Sequence, residues 1–169
     1  GVQTCALPIL IHRLYPNLAS VDDPYLALLS TVIERQAVLV AQWQLIGFIH
    51  GVMNADNMSI AGETIDYGPC AFMDTYHPET VYSSIDHRGR YAYQNQPPIA
   101  HWNLAGLAQA LLPLLSENED EAVEKATAAI NTFPECFKAS YTAGLGRKLG
   151  LSTVDVGDEV LGSDLLERM

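Results

Sequence analysis

The densest grouping of chemically able side chains is the segment His50-Gly51-Val52-Met53-Asn54-Ala55-Asp56-Asn57, followed by Asp66-Tyr67-Gly68. An amide oxygen and a carboxylate are hard donors, suited to Mg2+ or Mn2+ bridging nucleotide phosphates. Asn57 and Asp66 supply such a pair. Asp56 is then free to orient a hydroxyl nucleophile or to accept its proton. Asp and Asn are also ordinary turn residues, so the same letters are compatible with a loop that does no chemistry. His50 is read as a brace for the loop rather than as an acid.

Elements on either side must position these groups. Asp22-Asp23-Pro24 is a helix start, with proline at the first helical position. Leu28, Val32, Leu39, Trp43 and Ile46 recur at helical spacing and predict one long, largely buried helix from Tyr25 to about Phe48. Met58-Ser59-Ile60 and Thr64-Ile65-Asp66, joined across Ala61-Gly62-Glu63, predict a short β-hairpin near Met58 to Ile65. Such a hairpin would bring Asn57 and Asp66 within reach of one ion. Tyr67 to Pro98 shows little periodicity but holds five tyrosines, which argues for an ordered, packed loop. Helices are expected over Ile99 to Leu115, about Glu119 to Phe133, and Cys136 to Leu149, with Pro134 breaking or restarting the chain between the last two. Trp43 and Trp102 are assigned to the core. The fold class is mainly α with one short β-hairpin.

Nine Lys and Arg stand against twenty Asp and Glu, a formal net charge of −11. That disfavours nucleic acid and anionic membrane as partners, since both need basic surface. No uninterrupted apolar run reaches the length of about 18 residues that suggests a membrane span, and no secretory signal pattern opens the chain. Cys5, Cys70 and Cys136 lack the spacing of a zinc site or disulfide framework, so a reducing, cytoplasmic compartment is expected. Residues 1–9 resemble the conceptual translation of a sequencing-library adapter and are expected to stay off the core. The amphipathic end from Ser163 to Met169 stops after one or two turns. The chain is therefore expected to be an internal fragment of a longer reading frame, with its domain at residues 10–169.

The order of these groups parallels the protein-kinase signature, H-R-D-x-x-x-x-N followed by D-F-G. His50 and Asn57 have that His-to-Asn spacing, and Asp66-Tyr67-Gly68 stands where D-F-G would. Val52 occupies the place of the kinase catalytic Asp, and the nearby carboxylate is Asp56 instead. The run HGVMNADNMSIAGETIDYGP, with WQLIGF before it and SSIDHRGRYAYQNQPPIAHWNLAGLAQALLPL after it, resembles the selenoprotein O (SelO/YdiU) family over roughly Leu10 to Leu151. The resemblance implies the C-lobe of a protein-kinase-like fold, its small lobe absent here, acting on ATP bound in reversed orientation. It implies transfer of AMP to Ser, Thr or Tyr hydroxyls of proteins. Asp56 would be the proton acceptor, Asn57 and Asp66 the Mg2+ (or Mn2+) ligands, and Asp66 would also lie at the ATP phosphates. Ala55 stands where many relatives have Thr. Cys70 and Cys136 do not form the family's redox motif, and Cys70 is read as a small buried hydrophobe. His87, Arg88 and Arg90 are open to two readings, a substrate or phosphate contact and a solvated or internally anchored loop. Two alternatives to the enzyme stand beside it: a non-catalytic pseudokinase-type binding module and a conventional kinase, which Val52 disfavours.

Overall fold

The computed structural model describes residues 2–151 and 158–168. Its helices are α1 (Val2–Leu14), α2 (Pro24–Ile46), α3 (Gln96–Leu115), α4 (Glu119–Ile130), α5 (Phe133–Leu149) and α6 (Asp158–Glu167). Two short strands, β1 (Phe48–Ile49) and β2 (Ala71–Phe72), pair antiparallel, Phe48 with Phe72 and Ile49 with Ala71. The fold is mainly helical, as the sequence suggests.

The helix boundaries have local causes. The Asp23 carboxylate accepts a hydrogen bond from the Leu26 backbone N–H at 3.1 Å, and Pro24 opens α2 with its φ already helical. Asn118 caps α4 through the N–H of Glu121 at 3.0 Å, behind which the acidic first turn meets the positive helix end. Pro134 falls in the first turn of α5, where its missing N–H costs nothing. The α6 helix begins at Asp158, earlier than the Ser163 start read from the sequence.

Helix α2 is the hub, packing against α3, α4 and α5. Its residues Leu28, Leu29, Val32, Ile33, Ala37 and Val40 are buried, opposite Ala100, Leu104, Ala108, Leu111 and Leu115 of α3. By length and apolarity α2 is also the one described helix able to cross a membrane, though 44% of its most apolar window is buried within the fold. Leu7 and Leu10 of α1 lie partly buried against this core and Ile11 is buried. Leu7 thus departs from the expectation that residues 1–9 stay clear of it. Ile33 is fully buried at 0% exposure. Replacing it with alanine should cost about 2–5 kcal/mol, seen as a lowered denaturation midpoint.

The sequence-based hairpin needs correcting. Met58 to Ile65 retains a single antiparallel bridge, Met58 with Thr64. The regular pairing lies further out, between β1 and β2. The segment is held instead by α2: the Arg35 guanidinium donates to the Ala61 carbonyl at 3.0 Å, and the Gln36 amide donates to the Ser59 carbonyl. Side chains from a helix have replaced the ladder that a two-stranded ribbon in water would need.

Candidate active site

The loop between β1 and the Met58 bridge is irregular, so its buried backbone groups have no ladder to satisfy them. Three buried amides take that role. Gln96, at the start of α3, is fully buried; it accepts from the His50 N–H at 3.0 Å and donates to the Phe48 carbonyl at 2.9 Å. One side chain thereby copies the edge of a strand. Asn103 of α3 donates to the Met53 carbonyl at 2.8 Å, and Gln36 of α2 donates to Ser59. Sequence reasoning missed all three, because polar residues on a helix read as solvated positions.

His50 is 1% exposed, and its Nε2 lies 2.8 Å from the Ile65 carbonyl. A carbonyl only accepts, so Nε2 carries the proton, and the buried Nδ1 has no hydrogen-bond partner. The ring packs between Trp43 and Phe48, with centroids 5.5 and 6.5 Å away. This is a brace joining the loop to the residue before Asp66. Trp43 adds a second tie, donating from Nε1 to Thr64 Oγ1 at 2.9 Å. Gly51 supplies a third: its φ of +86° and its contact with Pro69 leave no room for a side chain, since a Cβ would lie 2.9 Å from Pro69 Cγ. The Asp66-Tyr67-Gly68-Pro69 turn is thus pressed onto His50-Gly51.

Within that frame Asp56 sits in a 3-10 turn, Ala55–Asn57, with its side chain exposed. Asn57 is half-buried and donates from Nδ2 to the Val52 carbonyl at 3.0 Å. That bond fixes the amide and leaves its oxygen as the uncommitted atom. Asp66 is exposed and adopts φ +57°, the left-handed conformation that Asp tolerates better than most residues. The N–H of Gly68 donates to the Asp66 backbone carbonyl at 2.8 Å. No hydrogen bond or ion pair among the described residues engages the Asp56 or Asp66 carboxylate. The Met58–Thr64 bridge lays the segment ending at Asn57 alongside the one that runs on to Asp66.

An unpaired carboxylate and an amide oxygen held free by its own nitrogen suit a hard cation. Among the described residues no three His, Cys, Asp or Glu side chains converge. The donor set is therefore sparse, the kind Mg2+ completes with water and substrate phosphates rather than with an all-protein cage.

The following loop is ordered by its own contacts. Both oxygens of Asp86 accept backbone N–H groups, from Arg90 at 2.9 Å and Tyr91 at 2.8 Å. The Tyr91 hydroxyl donates to Asn54 Oδ1. Tyr93 is buried, and burial pushes its hydroxyl pKa well up, as suits a packing residue. Cys70 packs half-buried against the core. Trp102 is not a core residue as expected from the sequence: it is 63% exposed, with the Arg90 guanidinium 5.0 Å above its ring.

Comparison with known proteins places this chain in a class. Proteins named Protein nucleotidyltransferase YdiU are 62% identical over 159 residues in Rhodopseudomonas palustris (strain BisB5) and 64% identical over 159 residues in Methylorubrum extorquens (strain PA1). Each alignment covers 94% of this chain and 32% of the relative. The protein of that name in Mycolicibacterium smegmatis is 62% identical over 142 residues, which are 84% of the chain and 29% of the relative. The chain spans about a third of the length of these curated relatives. The family described as Protein adenylyltransferase SelO matches residues 5–169, and the chain belongs to that family.

Proposed function

We propose that the protein containing this chain transfers AMP from ATP to Ser, Thr or Tyr hydroxyls of other proteins, and that this chain is its kinase-like C-lobe. The observation that carries the reading is the pairing of an unpartnered, exposed Asp56 with Asn57, whose amide nitrogen is pinned to Val52. Asp56 accepts the proton of the acceptor hydroxyl. That oxygen forms a bond to the α-phosphorus of ATP as the bond from the α-phosphorus to the bridging oxygen breaks, and pyrophosphate leaves. Asn57 and Asp66 would hold Mg2+ or Mn2+, which when bound neutralises charge on the departing pyrophosphate. Asp66 would also face the ATP phosphates. The brace through His50 and the press of Pro69 on Gly51 fix Asp66 relative to Asp56, and positioning supplies much of the rate in such transfers. The groups that clamp the triphosphate are assigned to a small lobe in the part of the relatives' length that this chain does not span. The half-buried, unpaired Cys70 and Cys136 fit a cytoplasmic setting.

The test is the full-length protein with ATP labelled at the α- or the γ-phosphate, Mg2+ or Mn2+, and a protein acceptor. Label from the α-position alone should appear on protein. Asp56→Asn should lower it by about 10^2- to 10^4-fold, with ATP binding kept. Label from the γ-position would identify a conventional kinase. ATP binding with neither label transferred would identify a binding module.

A further inference from the structure

The 3-10 turn Ala55–Asn57 carries both Asp56 and Asn57 but is too short to be rigid by itself. Its own ladder is two bonds, from the Asn57 N–H to the Asn54 carbonyl at 2.9 Å and from the Met58 N–H to the Ala55 carbonyl at 3.4 Å. Asn54 opens the turn. A side chain there ordinarily caps the N–H groups that follow, but this one makes no such bond. It accepts instead from the Tyr91 hydroxyl, 37 residues further along the chain. Among the described residues this is the one hydrogen bond that reaches residues 54–57 from outside segment 52–58. Tyr91 stands on a fixed stretch of backbone. Before it, Asp86 grips the N–H groups of Arg90 and Tyr91. After it, Ala92 and Tyr93 are buried, and Tyr93 donates from its N–H to the Thr80 carbonyl at 3.1 Å and from its hydroxyl to the Gln44 carbonyl of α2 at 2.6 Å. The Tyr91 ring itself packs half-buried against the core.

We infer that Tyr91 is a positioning residue for the transfer reaction: its hydroxyl, acting through Asn54, sets the orientation of the turn that presents Asp56. The inference rests on the transfer reading above and deepens it. The two carboxylates are then held by different means, Asp66 by the contacts of His50 and Gly51 and Asp56 by the tie from Tyr91. The tie does little for the fold. Asn54 is exposed and Tyr91 half-buried, so a bond lost between them is exchanged for bonds to water. Its effect on rate is larger, because displacing a reacting group by about 1 Å can cost about 10^2-fold. That contrast separates positioning from stabilisation.

Tyr91→Phe in the full-length protein removes the hydroxyl and keeps the ring. With ATP labelled at the α-phosphate, Mg2+ and a protein acceptor, it should lower kcat by about 10- to 100-fold, with KM for ATP and the melting temperature kept. Asn54→Ala should give the same loss, and the double variant no more than either alone, since each removes the same bond. In an Asp56→Asn background Tyr91→Phe should cost almost nothing further, because the group it positions is already gone. A merely structural role would lower both backgrounds alike. Unaltered kcat in Tyr91→Phe, a raised KM for ATP with kcat kept, additive losses, or an equal loss in the Asp56→Asn background would overturn the inference. The tie is also read without catalysis. The Asn57 N–H rests on the Asn54 carbonyl, so hydrogen exchange over residues 54–57 should quicken in Tyr91→Phe, and unchanged exchange would remove the tie. A parent protein that transfers label from the γ-position, or none, would overturn the transfer reading, whereas quickened exchange in Tyr91→Phe would leave the tie standing.

Discussion

Replacing Asp66 with asparagine in the full-length protein should reduce nucleotidyl transfer by about 10^2- to 10^3-fold, the scale seen when one group that stabilises developing charge is removed. The fold should survive. Asp66 is exposed, its carboxylate has no protein partner among the described residues, and its φ is +57°. Asparagine has nearly the same shape and tolerates the left-handed region at least as well, so stability should stay within about 0.5 kcal/mol. What changes is the charge: an anionic donor becomes a neutral one. Rising Mg2+ or Mn2+ concentration should recover part of the lost rate if Asp66 is a ligand. Undiminished AMP incorporation by this variant would remove Asp66 from the site.

Gly51→Ala should damage stability and transfer together. A residue with a Cβ pays about 1–2 kcal/mol to hold a left-handed conformation, and Gly51 sits at φ +86°. The added carbon would also lie 2.9 Å from Pro69 Cγ and 3.1 Å from the Pro69 carbonyl oxygen, so the turn carrying Asp66 must shift. The comparison is Ile33→Ala, which empties space in the core without touching that turn. At a temperature where both variants are folded, Ile33→Ala should keep near-normal transfer, whereas Gly51→Ala should not. Equal activity in the two would show that the contact with Pro69 does not position Asp66.

The helical frame was legible because its signals are local. Asp23-Pro24 and Pro134 each mark a start through a cap or a preset φ, and the structure uses both. Phe48 was assigned to the end of α2, but Gly47 adopts the left-handed conformation and ends the helix at Ile46, freeing Phe48 and Ile49 to pair with Ala71 and Phe72. The expected hairpin shrank to one bridge because Arg35 and Gln36 hold its backbone from outside. No local pattern announces such contacts. Trp102 illustrates how apolar letters mislead. The buried stripe of α3 runs through Ala100, Leu104, Ala108, Leu111 and Leu115, and Trp102 stands two residues from Leu104, about 200° around the helix. Asp56, Asn57 and Asp66 were legible as a polar cluster of fixed spacing. The anchors Gln36, Gln96 and Asn103 were not, since an amide on a helix acquires meaning only when the helix docks.

Those amide anchors bear on the order in which the chain acquires its shape. Gln36 grips a carbonyl 23 residues away, Gln96 an N–H 46 residues away, and Asn103 a carbonyl 50 residues away. Each contact closes a long loop, and the entropy of closure is repaid only when α2 and α3 come together. The polar loop therefore has no shape of its own to nucleate around. During synthesis, a ribosome that has delivered every residue from His50 to Gly68 has delivered the letters of the site but not the site. Its geometry waits for Asn103 to emerge and for α3 to dock.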